Sequence, residues 1–334
     1  MSDITLPTPI KPDPGKPNPK KRIDVHAHAW SSGYLDRLAV AGFASTSAHR
    51  GLGADVTAEE LQARFALMDS AGIQLQVLSA TPASPHFERR ADAVALARHI
   101  NDEYAALIRQ HPERFRAFAA LPLPHVDAAL EELQRALALD GMLGVAITTS
   151  ILGRSIADPM FEPIYAELDR RASVLYVHPA GCGAESPLIQ QHRLTWAVGA
   201  PVEDTVAVMH LLIAQIPQRY PRLKIVAGHL GGALPMLMQR LDHAAVYETP
   251  EVPEPPSVAA KRLWYDTVGH DHVPALRAAV ESLGADRLLL GTDFPYQSGE
   301  HFRAAVGYVQ RAGLPVAAVD AILDRNAARL LGLG

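Results

Sequence analysis

The stretch Ile23-Asp24-Val25-His26-Ala27-His28 decides how this chain is read. It predicts a strand, and because successive strand side chains point to opposite faces, His26 and His28 share one face. Imidazole nitrogen is the commonest protein ligand for zinc and its neighbours. Three later runs repeat the form of an apolar segment ending in a ligand-type residue. They are Val174-Leu175-Tyr176-Val177-His178, Ile225-Val226-Ala227-Gly228-His229 and Leu288-Leu289-Leu290-Gly291-Thr292-Asp293. A metal site at the carboxyl ends of several parallel strands accounts for all four.

Working outward, β-type runs occur at Arg22–Ala27, Ile73–Ser79, Phe115–Leu121, Gly144–Thr148, Val174–His178, Leu223–Ala227, Leu263–Thr267 and Arg287–Gly291. They are continuous and apolar rather than alternating, as parallel strands covered on both faces should be. Helical stretches rich in Ala, Leu and Arg separate them. Thr57–Ala71 starts with a capping box, Thr57 and Glu60, and stops at Gly72. Pro315–Leu331 reads as a closing helix. Eight strand–helix units predict an α/β fold, a (β/α)₈ TIM barrel spanning residues 22–334. A doubly wound open sheet is the rival, but no early glycine-rich phosphate turn supports it. Two connections are long, 29–56 and 179–201, and both would lie at the catalytic face of a barrel.

The remaining composition narrows the class. Apolar residues make up 48% and charged residues 20%, which suits a soluble globular protein. A net charge of −5 leaves no electrostatic footprint for nucleic acid. No uninterrupted apolar segment reaches the length of a membrane span. A single cysteine, Cys182, excludes an intrachain disulfide framework and fits a reducing compartment. Residues 1–21 are Pro-rich with no apolar h-region, so they read as an extended tail rather than a secretory signal, and cytoplasmic residence is expected.

In a barrel, His26, His28, His178 and Asp293 would converge and offer three nitrogens and one oxygen, a set suited to one divalent metal with room for water. Zinc is expected first, with manganese or iron as alternatives. Each residue also has a plainer reading. A lone His-x-His occurs by chance in surface strands, and Asp293 ahead of Pro295 suits a turn or helix N-cap.

IDVHAHAW, LYVHPAG, IVAGHLGG and LLLGTDFPY resemble the amidohydrolase superfamily, in the branch that contains aminocarboxymuconate-semialdehyde decarboxylase and aromatic-acid decarboxylases. The likeness runs from about Arg22 to the carboxyl terminus. It implies that His26, His28, His178 and Asp293 bind the metal, that His229 is the catalytic acid/base and that Asp293 also takes part in proton transfer. Binuclear members of the superfamily carry a carboxylated lysine at the end of strand four. Here that segment reads Gly144-Val145-Ala146-Ile147-Thr148-Thr149-Ser150, without lysine, which favours a single metal.

The resemblance further implies that Arg50 and Arg240 hold substrate carboxylates, one of them across a homodimer interface, and that Trp196 lines the pocket. Guanidinium groups clamp carboxylates bidentately, and an indole stacks on planar substrates. Trp30, Phe294 and Tyr296 follow strand ends and would form an apolar rim, with Phe294 against substrate; His270 would be a further polar contact. The plainer alternatives are solvated surface charges and ordinary lid packing. The expected function is metal-dependent, non-oxidative decarboxylation of an aromatic or unsaturated carboxylic acid. The alternatives are a hydrolase of a carbon–carbon bond, lactone or amide, or a hydratase, on the same scaffold. The expected partners are a small-molecule carboxylate and a second copy of the chain, with no nucleic acid and no membrane.

Overall fold

The computed structural model describes residues 22–333. Eight parallel strands follow one another in chain order: β1 (Ile23–His28), β2 (Leu75–Ser79), β3 (Phe115–Ala120), β4 (Met142–Thr148), β5 (Val174–His178), β6 (Lys224–Ala227), β7 (Trp264–Asp266) and β8 (Leu288–Leu289). The sheet closes on itself. Val25 N donates to Leu290 O at 2.9 Å, Asp293 N to His26 O at 2.9 Å and His28 N to Phe294 O at 2.8 Å. The expected TIM barrel is therefore the fold, while the Pro-rich segment 1–21 lies outside the described residues.

All eight strand runs of the sequence reading are strands, with ends shifted by a few residues. Thr57 caps the helix Ala58–Ser70 by accepting from Glu60 N. The return half of the expected capping box is absent, because Glu60 Oε2 accepts from Asp55 N instead. The closing helix is broken into Val316–Asp320, a wide π-type turn at Ala321–Arg325, and Asn326–Leu331. Ala327 and Leu330 of its last piece join Ile23, Val77, Phe118, Tyr176 and Leu289 in the barrel lumen and seal its lower end.

Side chains pointing outward from the strands, such as Leu78, Ala117, Val145, Leu175 and Ile225, pack under the helices in one continuous core. Both faces of the sheet are thus dry, which is why the strands read as unbroken apolar runs. Strand β1 departs from regular pairing. Asp24 opposes Gln76 and Ala27 opposes Leu78, so three steps on β1 match two on β2. This is a β-bulge. Val25 before it packs in the lumen, His26 and His28 after it also face inward, and Asp24 is turned out toward Gln76.

The long connection after β1 holds a helix at Ser32–Val40 and a single turn at Thr46–His49. The connection after β5 holds Pro187–Gln191 and a π-type turn at Thr195–Gly199, which runs into the helix Ala200–Ile213. Among the described residues, Thr195–Ile213 has the length and apolar composition of a membrane span, and half of it is buried within the protein. Buried Glu203 and Asp204 lie in it.

Candidate metal centre and active-site cavity

At the carboxyl end of the barrel, β1 supplies His26 and His28, β5 supplies His178, and the turns after β6 and β8 supply His229 and Asp293. Ligand atoms of His26, His178, His229 and Asp293 lie within 4.8 Å of one another. His28 is outside that set of four, but its Nε2 is 3.4 Å from Asp293 Oδ1, and His26 Nε2 is 3.2 Å from the same oxygen. The hydrogen bond from Asp293 N to His26 O holds the carboxylate beside the first strand. Asp293 adopts φ +61° and His229 φ +50°, left-handed backbone that non-glycine residues seldom take. Such strain persists where the surroundings over-determine it, commonly at functional sites.

The Nδ1 atoms of the three strand histidines are already committed. His26 Nδ1 lies 2.8 Å from Asp266 Oδ2, His178 Nδ1 lies 2.9 Å from Pro179 O, and His28 Nδ1 lies 3.1 Å from Ser79 Oγ. A carboxylate or carbonyl partner accepts, so the proton of a neutral ring sits on Nδ1 and the Nε2 lone pair is left to face inward. The Nε2 atoms of His26, His28 and His178, together with Asp293 Oδ1, are buried and have no hydrogen-bond partner. Four buried, unpartnered ligand-type atoms gathered in one place would be costly in a protein interior. A divalent cation satisfies all four at once. The residues fit the expected metal.

Electrostatics agree. Burial opposes ionisation of Asp293, but the imidazoles of His26 and His28 outweigh it and hold the carboxyl well below its usual range. Burial, aided by neighbouring imidazoles, pushes His178 well below an ordinary imidazole. Burial brings His28 down to about 4. Burial also opposes charge on His26, yet the flanking carboxylates Asp266 and Asp293 raise it to about 10.

His229 is placed differently. Its Nδ1 lies 2.9 Å from Asp204 Oδ2, and its Nε2 faces Asp293 Oδ2 at 4.0 Å. Burial works against its charge, but Asp204 prevails and raises it above an ordinary imidazole. Asp204 is itself raised to about 6 by burial. Its neighbour Glu203 accepts from the backbone N–H groups of Ala180, Gly181 and Gly183, at 2.7, 3.1 and 2.6 Å, and so ties down the loop after β5.

A cavity of about 710 Å³ opens over His178, His229 and Asp293. Trp196 and Tyr296 line it with their rings 6.3 Å apart and tilted by only 25°, and His270 also lines it. Tyr296 is held by a 2.7 Å hydrogen bond between its hydroxyl and His49 Nδ1. Trp30, expected on the rim, is buried beside the site, stacked on His28 at 5.3 Å and 5.9 Å from Tyr296, and does not line the cavity.

Three residues expected against substrate do not line this cavity. Arg50 is bonded to Asp36 at 2.7 Å on the surface. Arg240 is exposed on the helix Leu234–Glu248. Phe294 points out of the barrel, because it alternates with inward-facing Asp293; it packs on Phe302, with the Arg64 guanidinium 4.5 Å above its ring. From that loop, Tyr296 is the aromatic that reaches the cavity. The sequence reading did not single out Asp204 or Asp266. Asp266 ends β7 as His178 ends β5, a usable signal, whereas Asp204 sits within a helix and carries none.

The amidohydrolase family model matches residues 23–333. The 2-amino-3-carboxymuconate-6-semialdehyde decarboxylase of Dictyostelium discoideum is 29% identical over 234 residues, covering 68% of this chain and 64% of that protein. The chain thus spans a little under two thirds of that relative. The gamma-resorcylate decarboxylase of Rhizobium sp. (strain MTP-10005) is 33% identical over 264 residues, covering 71% of this chain and 77% of that one. Among solved structures, the dihydroxybenzoic acid decarboxylase of Polaromonas sp. JS666, with bound manganese and the inhibitor 2-nitroresorcinol, superposes with a TM-score of 0.81. That comparison has 26% identity and covers 94% of this chain and 97% of that one.

Proposed function

This chain belongs to the amidohydrolase family, and on that premise we propose that it is a metal-dependent carboxy-lyase acting without redox chemistry on an aromatic carboxylic acid. The observation that carries this reading is the convergence of three imidazole Nε2 atoms and Asp293 Oδ1, buried and unpartnered, beneath a cavity reached by His229. The decarboxylase names of the relatives and of the Polaromonas structure point the same way.

We assign His26, His28, His178 and Asp293 as ligands of a single cation. Three nitrogens and one oxygen suit zinc; manganese, present in the Polaromonas structure, is the alternative. A cation bound there supplies Lewis acidity and holds the anionic end of the substrate. Trp196 and Tyr296 flank the planar ring. His229, charged with the help of Asp204, delivers its proton from Nε2 to the ring carbon that bears the carboxylate. The carbon–carbon bond then breaks, its electron pair returns to the ring, and carbon dioxide leaves. His229 takes a new proton from water. Asp204 balances the imidazolium before transfer and keeps the ring oriented after it.

Arg240 belongs to this proposal as a group donated by a second copy of the chain. It shares its helix with Met236, Val246 and Tyr247, which are 79%, 76% and 72% exposed, an apolar face of the kind that a homodimer would cover.

The test is incubation of metal-loaded protein with hydroxybenzoates, starting from 2,6-dihydroxybenzoate, with carbon dioxide and the matching phenol measured together. Stoichiometric release supports the assignment. Consumption of lactones, esters or amides with no carbon dioxide from any acid would replace it with a hydrolase.

A further inference from the structure

Asp24 is a fully buried carboxylate that the proposed reaction does not use. It faces away from the metal pocket, on the outer side of the β1 bulge. Four donors surround it. Oδ1 accepts from His26 N at 3.1 Å and from Thr292 N at 3.0 Å. Oδ2 accepts from Thr292 Oγ1 at 2.6 Å and from Gln76 Nε2 at 2.7 Å. Gln76 Oε1 in turn accepts from Arg64 Nε at 2.7 Å, and Arg64 Nη1 donates to His28 O at 2.9 Å.

The network ends on the backbone of His26, Thr292 and His28 and on the Thr292 hydroxyl, each belonging to, or next to, a proposed metal ligand. His26 and His28 are held directly, and Thr292 precedes Asp293. We infer that Asp24 is a positioning residue for the metal centre. It fastens the β1 bulge to the turn after β8, so that the ligands from opposite ends of the chain meet at bonding distance. A bulge re-aims the side chains that follow it, and a carboxylate that accepts four hydrogen bonds leaves it little freedom to relax. Neutral substitution cannot reproduce this pattern. An Asn amide that kept its oxygen toward the two backbone N–H groups would set its NH₂ against the NH₂ of Gln76, which cannot turn over without losing Arg64.

This inference rests on the metal-centre reading above, and the experiment separates the two. Dissociation constants for Zn²⁺ and Mn²⁺ are measured by chelator competition on the full chain. The variants are Asp24→Asn, Thr292→Val and the double substitution Asp24→Asn with Gln76→Glu, each with its melting temperature in excess chelator. Supporting groups of metal ligands typically change affinity by about 10- to 100-fold. Asp24→Asn is expected to weaken metal binding by that amount, and Thr292→Val by less. The double substitution moves the acceptor onto residue 76, between the new amide and Arg64, and is expected to restore affinity to within about threefold. If Asp24→Asn does not fold, Thr292→Val and the double substitution still decide the matter. Wild-type affinity in Asp24→Asn, or no recovery in a folded double variant, would overturn the inference and leave the metal centre standing. Failure of the wild-type chain to bind either cation would sink the metal-centre reading itself.

Discussion

His229 and buried Asp204 form a pair, Nδ1 to Oδ2 at 2.9 Å, that joins the turn after the sixth strand to the helix Ala200–Ile213. The pair fixes which imidazole nitrogen faces the cavity. It also raises His229 above an ordinary imidazole, with Asp204 prevailing over the opposing effect of burial. His229→Asn should lower kcat by about 10²- to 10⁴-fold, the usual range for a positioned acid or base, with metal content unchanged. Asp204→Asn keeps an acceptor for Nδ1 but removes the charge. A general acid must be protonated, so activity is lost as pH rises through its pKa. Without Asp204 that pKa falls, and the alkaline limb of kcat should move to lower pH. An unmoved limb would remove Asp204 from proton transfer.

Asp266 receives His26 Nδ1 at 2.8 Å, the Tyr176 hydroxyl at 3.0 Å and His229 N at 3.0 Å. Asp266→Asn should release more metal to a chelator than wild type, by about 10- to 100-fold in dissociation constant. His178→Ala and Asp293→Asn, which delete proposed ligands, should fail to retain metal through dialysis. Atomic absorption on the dialysed proteins checks all three. Full metal in Asp293→Asn would contradict the ligand set.

Two histidines away from the proposed ligands make stability sensitive to acid. Burial lowers His49 to about 4 and His86 to about 3, from 6.5. Above pH 6.5 neither the folded nor the unfolded chain protonates them. Below it the unfolded chain takes up protons that the folded chain refuses, so stability falls until the folded pKa is reached. By pH 5 each site should account for about 2 kcal/mol of lost stability. His49→Gln and His86→Gln should flatten the decline between pH 6.5 and 5. Urea midpoints in chelator measure it, and curves parallel to wild type would exclude these sites.

Trp196 is 48% exposed and faces Tyr296 across the cavity mouth, whereas Arg50 is engaged with Asp36 outside it. Trp196→Ala should raise KM by about two- to tenfold, as expected for one lost aromatic contact. Arg50→Ala should leave KM within about twofold, since exposed ion pairs contribute little. The opposite order would return Arg50 to the substrate.

The eight strands were legible in the sequence because each is buried on both sides and so reads as an unbroken apolar run. His26, His28, His178 and Asp293 were legible because they stand at the ends of three of those runs. Periodicity and strand ends are local properties, written in consecutive residues. What surrounds these proposed ligands is not local. Asp204 meets His229 from 25 residues away, and Asp266 meets His26 from 240 residues away. No spacing rule connects them. The bulge that turns Asp24 outward arises from pairing with the second strand, and Phe294 leaves the cavity because Asp293 enters it. The order of residues determined which groups end the strands. Closure of the barrel decided which of them meet, because distances between side chains on different strands exist only once the sheet has joined its first edge to its last.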